Sequence, residues 1–108
     1  MRQQIIEIVI NVMLVRYSIR DLDTLFSTKS REFVELRDMF FYSCLNLGVP
    51  NIVILDYLKG RGLNGSHANI SRGNSRIKQK IKSDEILNSE ISFIIAECSQ
   101  RMKYGKGR

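Results

Sequence analysis

The 108-residue chain has no tryptophan, one proline, one histidine and two cysteines. Each scarcity excludes something. Proline is confined to Pro50, so nearly the whole chain is free to be helical. His67 is the only histidine and there is no CxxC pair, so no Cys/His spacing suits zinc; neither a metal site nor a cofactor is expected. A lone histidine also leaves no convincing nucleophile–base pairing, which disfavours an enzyme. Cys44 and Cys98 both fall inside apolar helical patterns and read as buried thiols of a reducing compartment; a disulfide is not demanded. A long hydrophobic run is missing too. The opening "MRQQIIEIVINVMLV" is broken by Glu7 and Asn11 and is followed by no small-residue cleavage site. It reads as a helix docked on a core rather than a secretory signal or a membrane span, and a cytoplasmic location with no membrane partner is expected.

The sharpest absence is of acid. The 27 residues between Asp56 and Asp84 contain no Asp or Glu, yet they hold seven cations: Lys59, Arg61, Arg72, Arg76, Lys78, Lys80 and Lys82. The whole chain carries a formal charge of +6. Such a segment attracts phosphates and gives salt-dependent binding. The plainer alternative is a solvated basic helix face.

Against these absences stands a 44% apolar content, enough for one core. The expectation is a single helical domain over residues 1–103 with a flexible basic tail over 104–108. Ile5, Ile6, Val9, Val12 and Met13 recur at helical spacing, which predicts a first helix from Arg2 to Arg16. In "SIRDLDTLFS", Ser18 is a candidate cap and Leu22, Leu25 and Phe26 share a face. A third helix follows Ser30, carried by Phe33, Leu36, Phe40, Cys44 and Leu47 and stopped by Gly48. "VPNIVILDYLKG" predicts a fourth helix, with Val53, Ile54, Tyr57 and Leu58 inward. A fifth runs from about Ser66 to Lys82 on a narrow stripe of Ile70, Ile77 and Ile81. The sixth starts with Ser83 as cap and carries Ile86, Leu87, Ile91, Ile94, Ile95, Cys98 and Met102. The fold class is all-α with about six helices.

The fourth and fifth helices, joined through Gly60 to Gly65, have the order of a helix-turn-helix with a lengthened turn. The residue types opening the fifth helix suit base edges. Asn69 can pair with adenine, Ser66 can donate or accept, His67 can donate to guanine or phosphate, and Ala68 can meet a thymine methyl. Arg72 and Arg76 follow on the same helix as grips for bases or phosphates. Equally plain readings remain open: His67 as a cap, the glycines as turn residues, the asparagines as solvated surface. A second segment, "STKSREFVELR", places Lys29, Ser30, Arg31 and Arg37 around a helix start. They can fix the register on a phosphate backbone. Its alternative is ordinary capping with an Arg31–Glu35 ion pair.

The span from about Ile5 to Lys82 resembles the C-terminal DNA-binding domain of the bacterial replication initiator DnaA. "GSHANISRGNSRI" is similar to that family's "GRDHTTV.HA.RKI" signature. The resemblance implies that Lys29 enters a minor groove, that Arg37 contacts phosphate, and that Ser66, His67, Ala68 and Asn69 read a major groove. Of those four only His67 is identical to the family pattern, and Gly65 and Ser66 replace its arginine and aspartate. "ANISRGNSRIK" also resembles the recognition helix of the Trp repressor, "ATITRGSNSLK", with Arg72-Gly73 kept. The two likenesses agree on a helix-turn-helix and imply different roles, replication initiation or transcription regulation. Sequence-specific binding of double-stranded DNA is the expected function. The rival is a helical protein-interaction module, a homodimer face supplied by Ile86, Leu87, Ile91, Ile94 and Ile95 of the final helix. RNA binding would call for exposed aromatics, and the phenylalanines follow core periodicity instead.

Overall fold

A computed structural model describes residues 2–105 and contains six helices and no strand among them. The first, α1, spans Arg2–Arg16, as the spacing predicts, and buries Ile6, Val9, Ile10, Val12 and Met13. Helix α2 is a short Leu22–Ser27 segment. Its cap is Asp21 rather than Ser18: the Asp21 carboxylate accepts the Thr24 N–H at 2.8 Å. Ser18 instead takes a left-handed φ of 54° just beyond α1. There its neighbour closes the α1 terminus, the Ile19 N–H reaching the Leu14 carbonyl at 2.9 Å.

Helix α3, Arg31–Asn46, starts at Ser30, whose hydroxyl accepts the Phe33 N–H. It stops where Gly48 turns to φ 92° and the Val49 N–H reaches back to the Cys44 carbonyl. Helix α4, Asn51–Gly60, ends the same way at Gly62, φ 73°, with the Leu63 N–H on the Leu58 carbonyl. Its buried set is Ile54, Leu55, Tyr57 and Leu58, with Val53 only half-buried. "NIVIL" is helical because it packs its apolar stripe on α1 and α5.

Helix α5, His67–Lys80, buries only Ile70, Gly73 and Ile77. Three residues at that spacing make a single seam, and it lies against α3. Helix α6, Glu85–Gly105, packs on α1 and α3 through Leu87, Ile91, Ile94 and Cys98. Its cap is Asp84 rather than Ser83, the carboxylate accepting the Leu87 N–H at 2.9 Å. The carboxylate is longer-reaching and charged, and it also favours a helix N-terminus electrostatically. Tyr104 and Gly105, expected in the tail, belong to α6, and residues 106–108 lie outside the described residues.

All six helices share one core in which Phe26 meets Phe40 and Phe41 edge to face at 5.9 Å and Phe40 and Phe41 lie tilted at 5.7 Å. Cys44 and Cys98 are free thiols within it. The apolar residues expected to form a dimer face on α6 are largely core instead. Leu87, Ile91 and Ile94 are buried, Ile95 is half-buried, and Ile86 alone stands out at 79% exposure. Among the described residues no helix is long and apolar enough to cross a membrane.

Candidate nucleic-acid interface

The narrow buried stripe of α5 leaves most of its circumference outside. His67, Ala68, Asn69, Ser71 and Arg72 are exposed, and α6 packs against α1 and α3 rather than over this face. Ser66 is half-buried and acts as the N-cap, its hydroxyl accepting the Asn69 N–H at 3.1 Å. The Ser66 hydroxyl hydrogen remains a donor. One turn on, Arg72 Nη2 donates to Asn69 Oδ1 at 2.8 Å. That contact orients both side chains on the outer face and leaves the Asn69 amide hydrogens to a ligand.

The two segments singled out in the sequence come together. A groove of about 330 Å³ is lined on one side by Thr28, Lys29 and Arg37 and on the other by Gly65, Asn69 and Arg76. Ser30 and Arg31 sit exposed at the α3 N-terminus and do not line it. Ser66, His67 and Ala68 continue from the groove along the start of α5.

The cations divide by what they already hold. Lys29, Arg31 and Arg72 have no carboxylate partner among the described residues. Arg37 is half-buried and donates from Nη1 to the Leu25 and Thr28 carbonyls at 2.7 and 2.8 Å. It ties the end of α2 to α3, and desolvation lowers its pKa from the usual arginine value. Arg76 donates from Nε and Nη2 to the two oxygens of Asp38 at 2.8 and 3.0 Å. The hydrogen bonds to Asp38 raise its pKa. The Asp38 side chain is only 4% exposed and that of Arg76 is 47% exposed, so the guanidinium joins a buried anchor to the open surface. The Arg31–Glu35 ion pair of the capping alternative does not form. Glu35 pairs with Lys80 of α5 at 3.0 Å instead. Together the 35–80 and 38–76 pairs set α5 antiparallel to α3.

Gly73 sits beside this anchor. A Cβ there would come 2.7 Å from Asp38 Oδ1 and 3.1 Å from the Phe41 ring. The missing side chain is what lets α5 approach close enough for Arg76 to reach Asp38.

Three residues outside the sequence expectations therefore build the site: Asp38, Gly73 and Asn51. Asn51 opens α4 and hydrogen bonds to both His67 and Ser71 of α5. Asp38 carried a readable signal. It shares a helical face with Val34, Phe41 and Leu45, and a carboxylate on an apolar face needs a partner. Asn51 carried none, because only the crossing of α4 and α5 brings it to His67.

The two thiols are buried in the core. Burial pushes Cys44 well above the usual thiol value and Cys98 up to about 11, so both are protonated at neutral pH. Among the described residues no three His, Cys, Asp or Glu side chains gather as metal ligands do. No protein-family model, no curated protein and no solved structure matches the chain.

Proposed function

We propose that this chain binds double-stranded DNA with sequence preference. In this reading α4, the 61–66 connection and α5 act as a helix-turn-helix, and the start of α5 enters the major groove. The observation that carries it is the outer face of α5. It is open, free of acid, ordered by its own hydrogen bonds, and set across a groove from Lys29. Ser66, His67, Ala68 and Asn69 face base edges. Arg72 reaches bases or phosphates, and Lys29, Ser30 and Arg31 contact the backbone. Arg37 and Arg76 hold the scaffold and present their remaining donors to phosphate. The likeness to the initiator and repressor domains supports DNA reading and leaves both replication and transcription roles in play.

Selection from random duplex DNA at two salt concentrations tests this. The expected result is an enriched motif and an affinity that falls with salt. Arg72→Ala weakens binding and lowers the salt slope by about 1. Asn69→Ala relaxes preference at one base pair by about 1–3 kcal/mol. Equal binding to every duplex by the unaltered protein overturns the reading.

A second reading, self-association, has its own observation. Ile86, Phe93 and Tyr104 are 79%, 42% and 66% exposed, and their spacing puts them on one stripe of α6. Pairing through that stripe leaves α5 free and doubles the DNA contacts. Sedimentation equilibrium of the unaltered protein and of Ile86→Glu checks it: a dimer lost in the variant supports it, and a monomer throughout dismisses it.

A further inference from the structure

Asn51, the first residue of α4, belongs to neither segment that the sequence pointed to. Its side-chain amide reaches α5 at two places about one helical turn apart. Oδ1 lies within hydrogen-bond distance of His67 Nδ1, and Nδ2 donates to Ser71 Oγ at 3.3 Å. An amide oxygen only accepts, so the imidazole donates through Nδ1–H. In the neutral ring Nε2 is then unprotonated and is an acceptor. The ring itself is exposed at the start of α5, with its Nδ1 side turned to Asn51.

We infer that Asn51 is a positioning residue that decides specificity: it holds His67 in the Nδ1–H form and makes the outer edge of the ring a hydrogen-bond acceptor. The inference rests on α5 being the base-reading helix. In the major groove the donors are the cytosine N4 and adenine N6 amino groups, whereas guanine and thymine present acceptors there. A neutral His67 held this way therefore selects cytosine or adenine at the base it faces. Donation to guanine or to phosphate, the expectation from sequence, requires the imidazolium. Asn51 makes this choice without touching DNA, and its bond to Ser71 ties the amide to α5 at a second point.

The test uses the full chain and has two independent arms. His67 is the only histidine, so a long-range proton–nitrogen NMR spectrum of the free protein reports one ring. At a pH where the ring is neutral, the unaltered protein should show the Nδ1–H tautomer. Asn51→Ala should shift the ring toward Nε2–H. Asn51→Asp keeps an acceptor for Nδ1–H and should restore the first pattern, which a merely structural role for Asn51 would not do. An Nε2–H ring in the unaltered protein, or a spectrum that ignores Asn51→Ala, overturns the inference. In the second arm, duplex selection is run on the unaltered protein, Asn51→Ala and His67→Ala. Both variants should lose preference at the same base pair, by about tenfold. Retained preference in Asn51→Ala overturns the specificity claim. If the unaltered protein selects no sequence, that claim falls together with the DNA reading, while the spectrum still decides whether Asn51 sets the ring.

Discussion

Two helix–helix seams hold this protein together, and each carries one arginine bound through two nitrogens to one carboxylate. Between α1 and α6 the pair is Arg16–Glu90, with Nε and Nη2 donating at 2.9 and 2.8 Å. Both partners are about one-third exposed, and the seam beneath is apolar. Between α3 and α5 the pair is Arg76–Asp38, and there the carboxylate lies inside the seam. In the first seam hydrophobic burial does the holding, at about 1.5–3 kcal/mol for each large side chain, and the ion pair is a surface addition. In the second only Ile70 and Ile77 are available to bury, so a charged anchor and a glycine set the geometry. A helix that leaves most of its surface exposed has little left to pack with. It must then be placed by directional contacts.

Perturbing the two seams separately sharpens that contrast. The largest effect is expected from Arg76→Ala, which leaves the Asp38 carboxylate buried without its hydrogen-bonded partner. Urea denaturation should show a loss of about 3 kcal/mol. Any accompanying loss of DNA binding then reflects a displaced α5 as well as a lost cation, whereas Arg72→Ala removes a cation and its hold on Asn69 and leaves the α3–α5 anchor in place.

Gly73→Ala comes next and should have the opposite sign from an ordinary helical site. The exchange normally stabilises a helix by about 1 kcal/mol. Here the added methyl meets Asp38 and Phe41, and the net outcome should be a loss of about 1–2 kcal/mol together with weaker DNA binding. A gain in stability would show that the α3–α5 approach is looser than described.

Asp84→Ala removes the α6 cap and should cost about 1 kcal/mol in the same denaturation experiment. DNA affinity, measured at a temperature where the variant is folded, should not change, because Asp84 lies beyond the C-terminal end of α5, away from the His67–Arg72 face. The smallest effect is expected for Glu90→Gln. Hydrogen bonds from Arg16 and Tyr17 bring the Glu90 pKa down from 4.5 to about 2. A carboxylate with a lowered folded pKa adds stability above its unfolded value, and the gain disappears as pH falls toward the folded one. The variant should therefore melt a few degrees below the unaltered protein at pH 7. The difference should shrink between pH 4.5 and pH 2.

Much of the fold was legible because helical periodicity is local. The bounds of α1, the Ser30 cap and the Gly48 stop of α3, and the Ser66 start of α5 all follow from residues within a turn or two of one another. Caps failed where two acceptors competed: Ser18 and Ser83 were the expected residues, and Asp21 and Asp84 hold the N–H groups. Ile86 falls in the apolar set of α6 by spacing, yet α6 turns that residue outward while Leu87, Ile91 and Ile94 go inward. Of the candidate site, the exposed start of α5 and the absence of acid could be read directly. The pairing of Glu35 with Lys80 rather than Arg31 could not, since it joins residues 45 positions apart.

The sequence by itself determined an all-α chain with one cationic helix too sparsely apolar to be buried. Those properties depend on the order of neighbouring side chains and on charge, which no packing can alter. Tertiary structure alone decided which cations stay free, which anchor to Asp38 or to backbone carbonyls, and that Asn51 meets His67. Those outcomes depend on how two helices cross, and a crossing is set by the whole core rather than by any one segment of the chain.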